Sequence, residues 1–192
     1  MPSQHNTLAR SLNDLGLAAW FGGSLMGAVG LNGATQEVSD ARERTRVSNA
    51  GWGRWQPLNA VAVGAYLAGS AQLLRANRGR LVAQRGVGTL SGLKTLLTVA
   101  AVGTTAYSGY MGRRLEAHEQ TGPSGGVPAS GTTEPTPQTP PEAAEAQRRL
   151  RALQWAIPAL TGALLVVDAR LSEQQRPGQV VRGVLERLNR GD

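Results

Sequence analysis

The sequence predicts an all-α protein: a four-helix transmembrane bundle with a disordered loop and a C-terminal amphipathic helix. Three observations carry this reading. Four long stretches contain no charged residue, small residues recur on one face of each, and the charges gather in the segments between them. The mean hydropathy of -0.23 averages very polar connections with very apolar stretches, so it does not decide the class.

The charge-free stretches are 15–36, 55–74, 95–112 and 152–167. A helix rises about 1.5 Å per residue, so roughly 20 residues cross a hydrocarbon core of about 30 Å. The first three are long enough. The fourth borrows Leu150 and Ala169, with Arg149, Arg151 and Arg170 reaching back to the interface. The spans are therefore expected at about 15–34, 56–74 and 94–112, with a juxtamembrane helix and fourth span over 142–170. A soluble four-helix bundle is the alternative, but it needs a charged face at a period of 3.6, and these stretches have none. A cleaved signal peptide is an alternative for the first stretch alone. Asp14 in its would-be basic region and dense glycine in its would-be core argue against that.

Within lipid there is little hydrophobic drive between helices, so small residues that let backbones approach are expected at the contacts. Gly23, Gly27, Gly30 and Ala34 share a face of the first span. Ala60, Gly64, Ala68 and Ala71 do so on the second, and Ala101, Thr105, Gly109 and Gly112 on the third. Gly23, Gly27, Gly30, Gly64, Ala68, Thr105 and Gly109 are the expected helix-packing residues.

Orientation follows from charge. With four spans, one side carries Arg10, Arg75, Arg78, Arg80, Arg85, Lys94, Arg170, Arg176, Arg182, Arg187 and Arg190. The other carries Arg42, Arg44, Arg46, Arg54, Arg113, Arg114, Arg148, Arg149 and Arg151. The second loop is the one short loop that is purely basic, which favours placing it and both termini in the cytoplasm. Trp52, Trp55, Tyr107, Tyr110 and Trp155 then fall near the outer interface, where an aromatic belt belongs.

The connections read as follows. Residues 35–46 form a short surface helix capped by Thr35, with acids early and arginines late, as the helix dipole favours. Residues 113–141 form a loop whose Pro/Thr/Gly-rich run stays extended and disordered. Pro141 opens a helix as its first residue, Glu145 and Arg149 pair at i, i+4, and Pro158 kinks the helix further on. In the tail, 171–192, Val181, Val184, Leu185 and Leu188 share a face, with Arg182, Arg187 and Arg190 off it. That basic amphipathic helix suits an anionic membrane surface, a partner's domain or the chain's own second loop. Arg75, Arg78, Arg80, Arg85, Arg182, Arg187 and Arg190 are the expected membrane-surface residues.

The chemistry-bearing residues are few. No cysteine excludes disulfides, thiolate metal sites and a cysteine nucleophile, and two histidines in weakly patterned stretches nominate no metal site. Residues 86–95 contain glycines, but Lys94 does not directly follow Gly92 and no strand precedes them, so they make no phosphate-binding loop. No ionisable residue lies in the middle of a span, where coupled transport usually needs one. Lys94 and Asp168, the charges nearest the bilayer, sit at the same end and are within reach of a salt bridge. The expectation is no catalytic, cofactor or metal site. The net charge of +7 is dispersed in clusters between apolar stretches, which argues against nucleic acid as a partner. Membrane lipid, a second copy or a membrane-protein partner is expected instead.

With these segments in place, the chain resembles a family of small, functionally unassigned four-span membrane proteins of actinobacteria. The resemblance rests on LNDLGLAAWFGGSLMGAVGLNGA, NAGWGRWQPLNAVAVGAYL, LLRANRGRLVAQRGV, LQWAIPALTGALLVV and EQQRPGQ. It implies membrane location and transfers no functional residues. The leading expectation is a non-enzymatic, multi-pass structural or interaction component of the cell envelope. The alternatives are a small-solute carrier or channel, suggested by the hydroxyl-rich third span, and a soluble or peripheral helical protein.

Overall fold

The computed structural model describes residues 3–76, 87–121, 129–131, 133–137 and 139–174. It is all-helical apart from one small hairpin. Helix α1 (Ser3–Met26) runs through a π-helical turn (Gly27–Leu31) into the short α2 (Asn32–Gln36). Three long helices follow: α3 (Ala41–Ala76), α4 (Val87–Thr121) and α5 (Pro141–Gln174). Strands β1 (Ala129–Gly131) and β2 (Glu134–Pro135) pair antiparallel between α4 and α5.

Among the described residues, two helices are long and apolar enough to cross a membrane: residues Thr7–Gln36 and Pro141–Glu173. They correspond to the first and fourth predicted spans. Helices α3 and α4 have the length, 36 and 35 residues, but not the apolarity. Gln56, Asn59 and Gln72 dilute the charge-free part of α3, and threonines, glycines and Ser108 dilute that of α4.

The helices extend well past the charge-free stretches. Residues 41–46, read from sequence as the later part of a separate surface helix, and 47–54, read as connection, are the first turns of α3. The cap is Asp40 rather than Thr35. The Glu43 amide donates to Asp40 Oδ1 (3.2 Å), and the Arg44 amide donates to the Asp40 carbonyl (3.1 Å). Thr35 is buried, and its hydroxyl donates to the Asn32 carbonyl at 2.8 Å. A carboxylate is the better partner for the orphan amides of a first turn. Residues 113–121, expected to open the disordered loop, continue α4, since no breaker intervenes before Gly122-Pro123. Part of the Pro/Thr/Gly-rich run forms the hairpin, and a turn with Thr136–Thr139 hydrogen bonds leads from it to α5. Helix α5 does begin at Pro141, and Glu145 accepts from Arg149 at 2.8 Å. It continues unbroken through Pro158, where the Thr161 hydroxyl donates back to the Ile157 carbonyl (2.8 Å). The amphipathic tail lies outside the described residues.

The four long helices alternate in direction. Paired positions such as Gly16 with Tyr66 and Gly69 with Asn13 show that α1 and α3 run antiparallel. Lys94 with Asp168 and Tyr107 with Arg149 show the same for α4 and α5. Helix α1 also lies along α5, with Asn13 near Asp168 and Asn32 near Gln154. The remaining seam, between α3 and α4, is the loosest of the four. The core takes Leu17 and Trp20 from α1, Ala62 and Tyr66 from α3, Ala101 from α4, and Ile157 and Leu164 from α5.

Small residues set the closest approach. A methyl group on Gly16 would lie 2.5 Å from the Ala62 carbonyl oxygen and the Tyr66 amide. One on Gly69 would lie 2.5 Å from the Ala9 carbonyl oxygen and the Asn13 amide. Helices α1 and α3 therefore touch backbone to backbone at both places. Further along, Gly23 and Gly27 form shallow seats for the Trp55 and Trp52 rings.

Polar side chains share the interior with the apolar core, and large apolar side chains face outward. Asn13, Ser24, Asn32, Thr35, Gln147 and Thr161 are buried. Leu15 and Val61 (each 71% exposed), Leu96 (67%) and Val99 (66%) point outward from the middle of three helices.

Candidate functional site

Two polar pockets open along the α3–α4 seam, one toward each end, separated by an aromatic girdle. The girdle is made by Trp20 and Tyr66, whose ring centroids are 6.0 Å apart at 56°. Each is tied to α4: Trp20 Nε1 donates to Thr105 Oγ1 (3.2 Å), and the Tyr66 hydroxyl bonds Thr98 Oγ1 (2.8 Å). Both rings are fully buried, and their polar tips find partners, as buried indole and phenol groups require.

The first pocket lies where α1 and α4 begin and α3 and α5 end. Its centre is Asn13, which contacts all three other long helices. Asn13 Oδ1 accepts from Ser70 Oγ (2.6 Å) and Lys94 Nζ (3.1 Å). Asn13 Nδ2 donates to Asp168 Oδ2 (2.9 Å) and to neighbouring Asp14 Oδ1 (3.0 Å). Lys94 and Asp168 close the ring with a salt bridge of 2.7 Å, their side chains only 17% and 13% exposed. The Lys94 ammonium also sits 5.3 Å from the Tyr66 ring centroid. Every member of this clamp therefore meets a partner of opposite polarity, the condition for burying charge. Beside it opens a space of about 300 Å³, bordered by Arg10, Asp14, Leu67, Thr98 and Leu171.

The second pocket lies at the opposite end, a cavity of about 110 Å³. Its lining is neutral and rich in amides: Asn32, Asn49, Gln56, Asn59 and Gln154, with Ser108, Trp52 and Trp55. A relay fixes part of it. Trp52 Nε1 donates to Asn32 Oδ1 (3.1 Å), and Asn32 Nδ2 donates to Gln154 Oε1 (2.5 Å). Asn59 Oδ1 is buried and has no hydrogen-bond partner among the described residues. Gln147, on α5 one turn before the lining residue Leu150, is fully buried with both amide atoms equally unpartnered. Thr133 of the hairpin covers this end.

The sequence-derived residues divide on this frame. Gly23 and Gly27 meet α3, as helix-packing residues do. A methyl on Gly30 would meet only Met26 of its own helical run, at 3.3 Å. Gly64 and Ala68 are exposed, and a methyl on Gly64 would touch nothing; the face of α3 that packs is Ala62, Tyr66 and Gly69. Thr105 receives the Trp20 indole, and Gly109 faces the Gln56 amide across the seam, 3.5 Å from a built methyl. Of the aromatic belt, Tyr107, Tyr110 and Trp155 are exposed, whereas Trp52 and Trp55 turn inward onto Gly27 and Gly23. Arg75 is exposed at the end of α3; Arg78, Arg80, Arg85, Arg182, Arg187 and Arg190 lie outside the described residues.

Sequence reasoning missed Asn13 as the hub. It lies just outside the charge-free stretch that defined the first span, and an isolated asparagine carries no pattern. Its signal was available in part, because the sequence places Lys94 and Asp168 at one end, where head-group contact is the first reading of each and a salt bridge between them the alternative. At the other end, the Glu145 carboxyl is held below the usual carboxylate range by hydrogen bonds from Arg149 and Arg148. Arg149 also donates to the Tyr107 hydroxyl (2.9 Å), so this cluster ties α5 to α4 above the cavity.

No protein-family model, curated protein or solved structure matches the chain, so function is argued from the geometry alone.

Proposed function

We propose that the chain is a four-span integral membrane protein, a bundle of α1, α3, α4 and α5 acting as a non-enzymatic structural or interaction component of the cell envelope. The observation that carries this reading is the number of large apolar side chains that face outward while polar ones share the interior. Asparagine, glutamine, serine and threonine side chains lie between the helices, while Leu15, Val61, Leu96, Val99 and Val166 face outward. Water would reverse that preference, whereas lipid tolerates exposed leucine and valine and favours polar groups that bond across helices. The small-residue contacts of α1 with α3 support the same environment. Helices α3 and α4, though less apolar, span alongside the other two, with Asn59, Ser70, Thr98, Thr105 and Ser108 turned toward the interior. The Asn13–Ser70–Lys94–Asp168 clamp and both termini lie at the cytoplasmic end, and Arg75 reaches the lipid head groups there. Membrane lipid is the first partner; a second copy or another membrane protein is the next.

Alkaline carbonate extraction tests membrane integration: the chain is expected to stay in the pellet, and release into the supernatant overturns it. The natural absence of cysteine makes sidedness easy to map. Single cysteines at Arg10 and Arg75 are expected to be labelled only after the inner face is opened, and one at Glu116 from outside.

A small-solute carrier or channel is the second reading, favoured by one observation: polar pockets open toward both ends of the α3–α4 seam with a girdle between them. Flux of neutral solutes through reconstituted vesicles tests it, and flux unchanged from empty vesicles removes it.

A further inference from the structure

We propose that the amide-lined cavity between α3, α4 and α5 is a binding site for a small, uncharged solute that both donates and accepts hydrogen bonds, of the size of a simple carboxamide. The inference depends on neither reading of function above.

The lining fixes the charge of the ligand. The residues that line the cavity contribute amides, hydroxyls and indoles and no ionisable side chain; the nearest charge is exposed Arg113, whose guanidinium lies 3.7 Å from where a methyl on Gly109 would sit. A cation entering the cavity would shed its water without meeting an opposite charge, and an anion would meet only that solvated guanidinium at the edge, so both are disfavoured. The unpartnered groups fix the ligand's polarity. Asn59 Oδ1 is a buried acceptor with no donor, so a ligand must bring an N–H or O–H. Across the cavity, Gln154 spends its oxygen on Asn32, which turns its amide nitrogen into the available donor. A ligand therefore needs an acceptor as well. A buried polar group left unpaired is costly, and such exceptions call for a bound molecule to satisfy them.

Volume fixes the size. An apolar cavity of about 150 Å³ takes benzene, with six non-hydrogen atoms. The 110 Å³ here therefore suits about four, the size of acetamide or urea. The walls suit a planar molecule, because Trp52 and Trp55 present rings held in place by Gly27 and Gly23. Gly109 keeps the α4 side open: a methyl there would come within 3.5 Å of the Gln56 amide.

The test is a titration of the full chain in mild detergent with acetamide, read by indole fluorescence and by saturation-transfer NMR on the ligand. Saturable binding with a Kd of about 0.1–10 mM is expected, which is the range available to four non-hydrogen atoms. Acetate has the same shape and a charge, and is expected to bind at least tenfold more weakly. Asn59→Leu, which removes the acceptor, and Gly109→Leu, which fills the space toward Gln56, are each expected to weaken acetamide at least tenfold. Absence of saturable binding overturns the proposal and leaves a cavity that holds water only; equal binding of acetate overturns it as well, because the site then does not select an uncharged solute. Acetamide affinity unchanged in whichever of the two variants retains the wild-type elution profile also overturns it. The comparison of acetamide with acetate needs no variant, so it decides even if both variants misfold. Carbonate extraction and solute flux fail or succeed independently of this titration.

Discussion

Two glycines five residues apart on α3 should respond to the same substitution with opposite signs. At Gly64 an added methyl meets nothing within 4 Å. Alanine there removes the entropic handicap of glycine in a helix, and Gly64→Ala is expected to stabilise by up to about 1 kcal/mol. At Gly69 the methyl would lie 2.5 Å from the Ala9 carbonyl oxygen and the Asn13 amide. Ordinary contact begins at about 3.4 Å, so α1 and α3 must separate by nearly 0.9 Å at that point. A radial gap of 0.5–1 Å forfeits roughly a quarter to a half of the dispersion well for each atom pair it opens. Overpacking of this kind costs about 1–3 kcal/mol, and here the intruding methyl meets rigid backbone on both sides, so the upper half of that range applies. After the propensity gain, Gly69→Ala is expected to destabilise by about 1–2 kcal/mol, leaving the variants about 2–3 kcal/mol apart. In a domain of this size that is roughly 4–12 °C in apparent midpoint. Thermal or detergent-titration unfolding in micelles, read by tryptophan fluorescence, measures it. If Gly64→Ala proves as destabilising as Gly69→Ala, the outward face of α3 is packed and the account of the α1–α3 contact is wrong.

The clamp and the surface cluster give two more expectations. Removing one charge of the Lys94–Asp168 pair strands the other in a mostly buried site, so Lys94→Met should cost about 2–4 kcal/mol, whereas Lys94→Met with Asp168→Leu should lie within about 1 kcal/mol of wild type. Additive costs in that double-mutant cycle would show that the two side chains do not interact. Glu145 should titrate below the ordinary range for glutamate in carboxyl-carbon NMR, because the Arg149 and Arg148 hydrogen bonds favour its charged form. A folded-state value below the unfolded one means that the pairing contributes above the ordinary glutamate value and is lost as the pH falls through the lowered one. An unshifted titration would mean that the cluster does not persist in solution.

The helices were legible in the sequence because absence of charge over four or more turns is a strong signal. Their ends were not, because α3 and α4 continue as helix into charged sequence such as ARERTR and RRLEAHEQ, which has helix propensity but no apolar face. Packing faces were legible on α1, where Gly23 and Gly27 are set against flat indoles. On α3 two small-residue stripes compete. Ala60, Gly64, Ala68 and Ala71 form the more regular series, yet Ala62, Tyr66 and Gly69 form the contact. Spacing cannot separate them, since an outward alanine costs nothing in lipid or at a protein surface, whereas an inward one must fit a partner the sequence does not display.

The polar residues were legible only as a class. Serine, threonine and asparagine in the apolar stretches suit hydrogen bonds between helices. Which partners they take depends on alternating helix direction, and that direction places their two groupings at opposite ends of one seam. The tight α1–α3 contact leaves α3 little freedom to close on α4. The seam itself is bridged by Tyr66 to Thr98, and α4 is held from the flanking helices by Trp20 to Thr105 and by Lys94 to Asn13 and Asp168. Where bridging side chains run out, beyond Thr105 toward the hairpin, the amides of Gln56 and Asn59 face open space instead. The cavity is thus the geometric complement of the clamp. Helices fixed backbone to backbone on one side and bridged at one end must leave a gap at the other. Most polar groups that line the gap bond one another, but Asn59 Oδ1 has no partner among the described residues, and it is the group a ligand would meet.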